Sequence, residues 1–347
     1  MLPSHIKITD NPGPFLRLFL QKWGYHKIMV LADDNTARHC YPLLQDTLPE
    51  HHLLKVPSGE EHKNLTTCET IWSAMTEQAL DRHSMLVILG GGVLGDMGGF
   101  CAATYKRGID FTLLPTTLLA MADASIGGKL GIDFQGFKNH IGLFQEPKLN
   151  ILFPGFLKTL PPSELRSGFA EVIKHALISD KVLWNELHNT QLEDQSWESL
   201  IRHSAEFKSS VTQQDPTEKG LRKTLNAGHT IGHAIETFFL RNKSAILHGD
   251  AVAAGLVCEA FLAREENLLT ENELHEISEY ITGVYGKLPL QTENFEGIAA
   301  LCIQDKKNKD NKILTVLLEG IGQARWDCAI TMDRIVASLN FYRDLQT

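Results

Sequence analysis

The chain is 347 residues long, 43% hydrophobic and 22% charged, with a formal net charge of -9; this length predicts two domains of an ordinary globular protein, and the acidic balance argues against a nucleic-acid surface spread over the molecule. No apolar run approaches the roughly 18 residues of a membrane span, and Met1-Leu2-Pro3-Ser4-His5-Ile6-Lys7 lacks the basic-then-apolar layout of a signal peptide. Six scattered cysteines (Cys40, Cys68, Cys101, Cys258, Cys302, Cys328) form no close pair, so neither a disulfide scaffold nor a thiolate metal site is expected, and reduced thiols in the cytoplasm are.

The first half alternates strands and helices. Residues 27–32 read as a buried strand that runs into a turn and helix start at Asp33-Asp34-Asn35. Residues 85–89 form a second, leading to Gly90-Gly91-Gly92; 111–114 form a third, ending at Pro115-Thr116-Thr117; 149–153 form a fourth. A helical pattern covers 68–79. All-apolar strands alternating with helices predict a parallel, Rossmann-like α/β sheet covered on both faces. After Pro154 the period becomes helical to the end, with breaks near Asp215-Pro216 and Lys243-Ser244. An α/β domain is therefore expected over 1–154 and a mostly α-helical domain over 155–347. Pro161-Pro162-Ser163 opens a long helix, with Ser163 as its candidate N-cap.

Chemistry-bearing groups recur along this frame. Gly90-Gly91-Gly92-Val93-Leu94-Gly95-Asp96 satisfies G-x-G-x-x-G after a strand, where backbone amides approach a pyrophosphate; a tight strand-to-helix turn is the plain alternative. Asp33, after the first strand, is better placed than Asp110 to hold an adenosine ribose. Asp123-Ala124-Ser125-Ile126-Gly127-Gly128-Lys129 and Gly136-Phe137-Lys138-Asn139 bring a carboxylate and cations to the ligand-binding edge of the sheet, or form glycine-rich surface turns. Glu171 and Lys174 share one face of their helix and read by default as a surface ion pair, although a glutamate also completes two-histidine zinc sites.

His229 and His233 stand four apart, one turn above the other. Ile231, Ile235, Phe238 and Phe239 form an apolar stripe, and His229, His233 and Glu236 cluster opposite it. Thr230 follows the first histidine where a zinc protease carries Glu, so a metal here would need a further ligand from elsewhere. His248, in Leu247-His248-Gly249-Asp250, enters the next apolar helix. Lys208, Arg222 and Asn226 suit carboxylate or phosphate. The charged stretch 306–312 reads alone as a solvated loop.

Taken in order, these segments resemble the 3-dehydroquinate synthase family of sugar-phosphate cyclases. The resemblance runs from about residue 33 to about residue 312. It is carried by Gly-Gly-Gly-Val-Leu-Gly-Asp at 90–96, Thr-Tyr-Lys-Arg-Gly at 104–108, Leu-Pro-Thr-Thr-Leu-Leu-Ala at 114–120, and Asp-Ala-Ser-Ile-Gly-Gly-Lys at 123–129. It continues through Lys-Asn-His-Ile-Gly at 138–142, Ala-Glu-Val-Ile-Lys at 170–174, Leu-Asn-Ala-Gly-His-Thr-Ile-Gly-His-Ala-Ile-Glu at 225–236, Leu-His-Gly-Asp at 247–250 and Asp-Lys-Lys-Asn at 305–308. Departures are mild: Ala124 stands for a usual Ser, Leu130 for Thr, Lys106 for Met and Asp250 for Glu.

The resemblance implies that Glu171, His229 and His248 bind one divalent metal, Zn2+ or Co2+, and that His233 faces the substrate. It implies NAD along Asp33, Ser58, Gly59, Glu60, Glu61, His62, Lys63, Gly92, Val93, Leu94, Gly95, Asp96, Thr116, Thr117, Lys129, Lys138, Phe156, Leu157, Lys158 and Thr159. Substrate carboxylate and phosphate fall to Lys129, Asn139, Lys174, Lys208, Arg222, Asn226, His233 and one of Lys306 or Lys307. Asp123 orients the reacting hydroxyls, and Arg107 reaches in from a second subunit, which implies a homodimer. The implied reaction is a carbon–oxygen lyase step on 3-deoxy-D-arabino-heptulosonate 7-phosphate. A ring hydroxyl is oxidised transiently, phosphate leaves by elimination and acts as its own base, the hydride returns, the ring opens, and an aldol closes 3-dehydroquinate.

Three alternatives remain. Sister cyclases act on sedoheptulose 7-phosphate or a glucose phosphate but differ at the carboxylate-holding positions, where Lys208, Arg222 and Asn226 match the dehydroquinate type. A metal-dependent polyol dehydrogenase would share the architecture and accumulate NADH. A non-catalytic homologue would not fill every motif position with usable chemistry.

Overall fold

Apolar runs in the first half of the chain pair into a six-stranded parallel sheet. Its strands are β1 (Ile6–Ile8), β2 (Ile28–Asp33), β3 (His52–Val56), β4 (Met85–Gly90) and β5 (Asp110–Pro115), joined after a hairpin, β6 (Lys129–Phe134) and β7 (Phe137–Phe144), by β8 (Leu149–Leu152). The sheet order is β1-β8-β5-β4-β2-β3, and every pairing in it is parallel. This computed structural model describes residues 1–135, 137–303 and 313–346. It divides into two units, Met1–Pro161 with Trp197–Ser209, and Pro162–Ser196 with Ser210–Thr347.

In the first unit, β2 and β4 are buried almost throughout, the burial expected of strands covered on both faces. Helices α1 (Pro12–Trp23), α2 (Asp34–His39), α3 (Leu65–Glu77) and α4 (Gly92–Thr104) connect the strands. α4 lies close against the sheet because Gly98 has no side chain; a Cβ there would stand 2.8 Å from Leu31 Cδ2. Parallel pairing puts the C-terminal ends of β2, β4 and β5 on one edge, so Asp33, the 90–92 turn and Thr116 lie at the edge where open α/β sheets bind ligands. The four predicted strands are present. β1 and β3, both at the sheet edges, and the β6–β7 hairpin were not anticipated, since none is a long apolar run.

The second unit contains α5 (Pro162–Ser179), α6 (Lys181–His188), the end of α7 (Trp197–Gln214), α8 (His229–Arg241), α9 (His248–Glu265), α10 (Glu271–Tyr285), α11 (Thr292–Ile303) and α12 (Met332–Asp344). α9 is buried on nearly every face and packs against α5, α8, α10 and α12, as an almost uniformly apolar helix must. Two features differ from the sequence expectation. An antiparallel ribbon, β9 (Ile313–Leu318) with β10 (Ala324–Ile330), interrupts the helices. α5 begins at Pro162, so Ser163 lies inside its first turn and is not its cap; proline is well suited to that position.

Candidate active site

At the edge of the first unit's sheet, β4 turns through Gly91 into α4, leaving that helix's first amides directed outward. A cleft beside it is lined by Gly91, Gly92, Gly95, Asp96, Pro115 and Ala124 among others. A Cβ at Gly95 would meet nothing within 4 Å, so the glycine face borders open space that a flat or extended ligand can fill. The Leu94 side chain turns instead into the core. Asp33 caps α2, its Oδ1 accepting from Thr36 N at 2.8 Å. Gly59, with φ +118, starts the 3₁₀ turn Glu60–His62 that leads to Lys63. Ser58 lies just before that turn, and Val93 and Thr117 are half-buried beside the cleft's glycines and Thr116. Phe156 and Leu157 are buried, leaving only their main chain for a ligand, whereas Lys158 and Thr159 are exposed.

Lys63 is the hub of this unit's polar network. Only 4% exposed, it donates to Asp96 Oδ2 at 2.8 Å and to Asn139 Oδ1 at 2.6 Å. Burial pushes the Asp96 carboxyl up, against the pull of the Lys63 ammonium. Asn139 has a left-handed backbone, φ +49, and its N–H donates to Asp133 Oδ1 at 2.7 Å. Lys138 lies 3.6 Å from Glu60, and Lys129 opens β6 as an exposed residue. Asp123 sits in a π-helical turn, Ala120–Ala124, of a kind frequent at functional sites. Lys208 donates to the Asp123 carbonyl at 2.7 Å and to its Oδ2 at 2.6 Å. Arg107 stands apart on the turn Tyr105–Arg107. It is exposed, has φ +67, and its guanidinium has no hydrogen-bond or ion-pair partner among the described residues.

In the second unit, α5, α8 and α9 bring Glu171, His229 and His248 together. The approach of α9 to α5 depends on Gly249, whose N–H donates to Ser167 Oγ at 3.0 Å; a Cβ there would stand 2.0 Å from Ser167 O. Glu171 Oε1 lies 3.4 Å from His229 Nε2 and 3.5 Å from His248 Nε2. Its Oε2 accepts from Lys174. Glu171 and Lys174 are each 1% exposed, so the surface ion pair expected from spacing is instead a buried one. Helix phase places both residues on one face but does not reveal that neighbouring elements bury α5 on all sides there.

The protonation of this cluster follows from its partners. His229 Nδ1 is 2.9 Å from Ala227 O, a group that only accepts, so Nδ1 carries the proton and Nε2 presents a lone pair. His248 Nδ1 is 3.2 Å from Glu236 Oε2. Burial raises a carboxyl, but Lys174 and His229 outweigh it and hold Glu171 well below the usual range. Burial lowers His229, whereas hydrogen bonds donated to the Glu171 and Glu236 carboxylates overcome burial at His248 and raise it to about 10. His229 is thus neutral and His248 carries the extra proton of the pair. With the His248 proton given up to a bound ion, two nitrogen lone pairs and a carboxylate oxygen turned to one point are the donor set of an open divalent-metal site. Glu236, left out of the expected site, joins it through His248; its signal was its place on the histidine face of α8. His233 is exposed, and donor atoms of His229, His233 and His248 lie within 4.8 Å of one another, which makes three imidazoles an alternative set.

Arg222 and Asn226 belong to the 3₁₀ segment Leu221–Asn226, which packs on α5. Arg222 is 2% exposed, its Nη1 donating to Pro216 O at 2.9 Å. Asn226 Nδ2 donates to Glu218 Oε1 at 2.7 Å. Glu218, with φ +59, is a carboxylate the sequence reading did not single out; no local periodicity marks it. Lys306 and Lys307 lie outside the described residues.

Residues 53–167 match the family model for the 3-dehydroquinate synthase N-terminal domain, and 168–308 the model for its C-terminal domain. The 3-dehydroquinate synthase of Parabacteroides distasonis is 37% identical over 349 aligned residues, 99% of each chain. The 2-epi-5-epi-valiolone synthase of Streptomyces hygroscopicus, solved with NAD+ and Zn2+ bound, superposes with a TM-score of 0.87 at 26% identity, covering 99% of this chain and 98% of that one. A 2-deoxy-scyllo-inosose synthase complexed with carbaglucose-6-phosphate, NAD+ and Co2+ shares the fold, with a TM-score of 0.83 at 23% identity and coverage of 96% and 95%. By matched segments, full-length identity and architecture together, the chain belongs to the 3-dehydroquinate synthase family.

Proposed function

We propose that this chain converts 3-deoxy-D-arabino-heptulosonate 7-phosphate into 3-dehydroquinate and inorganic phosphate, as a cytoplasmic homodimer holding NAD and one divalent ion, Zn2+ or Co2+. The observation that carries this reading is the buried Glu171 carboxylate with two imidazoles turned to one oxygen. The valiolone synthase holds NAD+ and Zn2+, and the inosose synthase NAD+ and Co2+; the two-nitrogen, one-carboxylate set here suits either ion. We assign Glu171, His229 and His248 as ligands in preference to the three imidazoles, because Glu171 is the group both inner histidines face. We assign 1–154 as the NAD-binding domain and 155–347 as the metal- and substrate-binding domain. When bound, NAD takes up and returns a hydride and the ion polarises the oxygen concerned.

The chain's own side chains bind and orient. Lys174 keeps Glu171 ionised through Oε2 and brings a buried positive charge to the centre, suited to a substrate anion. Pro216 O holds the Arg222 guanidinium in one orientation, and its planar fork suits carboxylate or phosphate. Asn226, held by Glu218, and the exposed His233 hydrogen-bond the substrate in the same unit. In the first unit, Lys208 holds the Asp123 carboxylate in one orientation for hydroxyl recognition, and Lys63 does the same for the Asn139 amide. Arg107 serves the site of a second copy; its exposed, left-handed turn keeps the guanidinium away from local partners.

The purified protein is incubated in turn with 3-deoxy-D-arabino-heptulosonate 7-phosphate, sedoheptulose 7-phosphate and glucose 6-phosphate, and phosphate release is measured. Release is expected from the first alone, without build-up of free NADH. Release from sedoheptulose 7-phosphate alone overturns the assignment.

A further inference from the structure

The first turn of α8 lacks a cap of its own. Its N-cap residue, Gly228, has no side chain to accept the orphan amides there. A carboxylate from another helix supplies the acceptor: Glu259 of α9 takes the Gly228 N–H on Oε2 at 2.6 Å, and its Oε1 lies 3.5 Å from Ile231 N. Glu259 is 3% exposed, a depth at which a carboxylate needs donors of this kind. Close approach of the helices puts it there. Gly228 adopts φ +76, and a Cβ on Gly255, one turn before Glu259, would stand 2.0 Å from Gly228 O. The residue directly after the capped glycine is His229.

We propose that Glu259 is a positioning residue for the metal centre: a cap delivered across the α8–α9 contact that fixes the backbone at His229 and, through it, the direction of the Nε2 lone pair. The inference rests on the assignment of His229 as a metal ligand. Without the carboxylate, two buried amides at the start of α8 lose their acceptor and the helix start relaxes. The 3.4 Å approach of His229 to Glu171 then loosens although both residues are still present. The negative charge also opposes the positive end of the α8 dipole, which strengthens the cap.

The full-length protein is stripped of metal and titrated with Co2+ against a chromogenic chelator, with the visible spectrum of bound Co2+ and the Tm of the stripped protein recorded. Wild type, Glu259→Ala, Glu259→Gln and a buried control on α10, Leu274→Ala, are compared. Glu259→Ala is expected to bind Co2+ about tenfold more weakly and to shift its absorption bands, in the range found when outer-sphere partners of a ligand are removed. Glu259→Gln, which keeps one acceptor oxygen, is expected to move the same way by less. Leu274→Ala is expected to lower Tm and leave affinity and spectrum unchanged. Wild-type affinity and spectrum in Glu259→Gln, and in Glu259→Ala if it folds, overturn the proposal, as does equal weakening in the control. Failure of the wild type to bind Co2+ overturns the metal assignment itself, an outcome distinct from binding that ignores Glu259.

Discussion

Replacing Gly255 and Gly283 by alanine makes the same chemical change with opposite expected signs. At Gly255 the new methyl carbon would stand 2.0 Å from Gly228 O, 2.7 Å from Gly232 N and 3.0 Å from Gly228 C. All three are main-chain atoms, so no rotamer change relieves the clash. An ordinary C···O contact is about 3.3 Å or longer, so α8 and α9 must part by about 1.3 Å. That places the cost at the upper end for overpacking, about 3 kcal/mol. The second unit holds roughly 170 residues, for which each kcal/mol moves Tm by about 2–4 °C; a fall of about 6–12 °C follows. Gly283 lies in α10, exposed, with no heavy atom within 4 Å of its would-be Cβ. Alanine there gains about 0.5–1 kcal/mol of helix stability, a rise of about 1–4 °C. Calorimetric melting of the metal-free protein measures both. A Gly255→Ala Tm within about 2 °C of wild type, less than 1 kcal/mol on this scale, would refute the close-contact argument.

Glu171→Gln is expected to abolish stoichiometric metal in elemental analysis of the untreated protein, whereas His233→Ala keeps the metal and loses turnover; metal loss in His233→Ala would favour the three-imidazole set. Gly95→Ala fills the open space beside the glycine turn. It should raise Tm slightly and weaken NAD binding at least tenfold by calorimetry, and unchanged affinity would remove the dinucleotide from that face. If Arg107 acts across a dimer, mixing inactive Arg107→Ala and Glu171→Ala chains restores about a quarter of the sites; no recovery after subunit exchange would place Arg107 in its own chain's site or outside catalysis. Glu273 opposes its own burial by accepting from Thr270 N at 3.0 Å and Thr270 Oγ1 at 2.9 Å, which holds its pKa below the ordinary 4.5. This stabilisation is complete above pH 4.5 and is lost as pH falls through the folded value. Urea melts of Glu273→Gln should therefore converge with wild type at low pH and diverge above it.

The fold was legible where one element carries its own signal. β2, β4, β5 and β8 are runs of apolar residues, and α8 shows its stripe in Ile231, Ile235 and Phe239, all buried. β3 was not legible because an edge strand is half exposed, its burial alternating irregularly. The β6–β7 hairpin was missed because β7 faces solvent along most of its length, so nothing forces an apolar pattern on it. In the site, residue types and order sufficed to nominate Glu171, His229 and His248. Environment could not be read the same way: Glu171 and Lys174 are three apart on any helix, and only the packing of neighbouring elements around α5 makes that pair buried. Glu259 and Glu218 act on residues 31 and 8 positions away, and no window of periodicity joins such partners.

α9 is at once the keel of its unit and the bearer of His248 at its first residue. A substitution that loosens α9 itself therefore also disturbs the ligand geometry, because the same helix cannot loosen for one purpose and hold for the other. For substitutions on α9 itself, bound ion and heat resistance should move together, and any attempt to toughen this half of the molecule along α9 must be screened for cation retention in the same experiment.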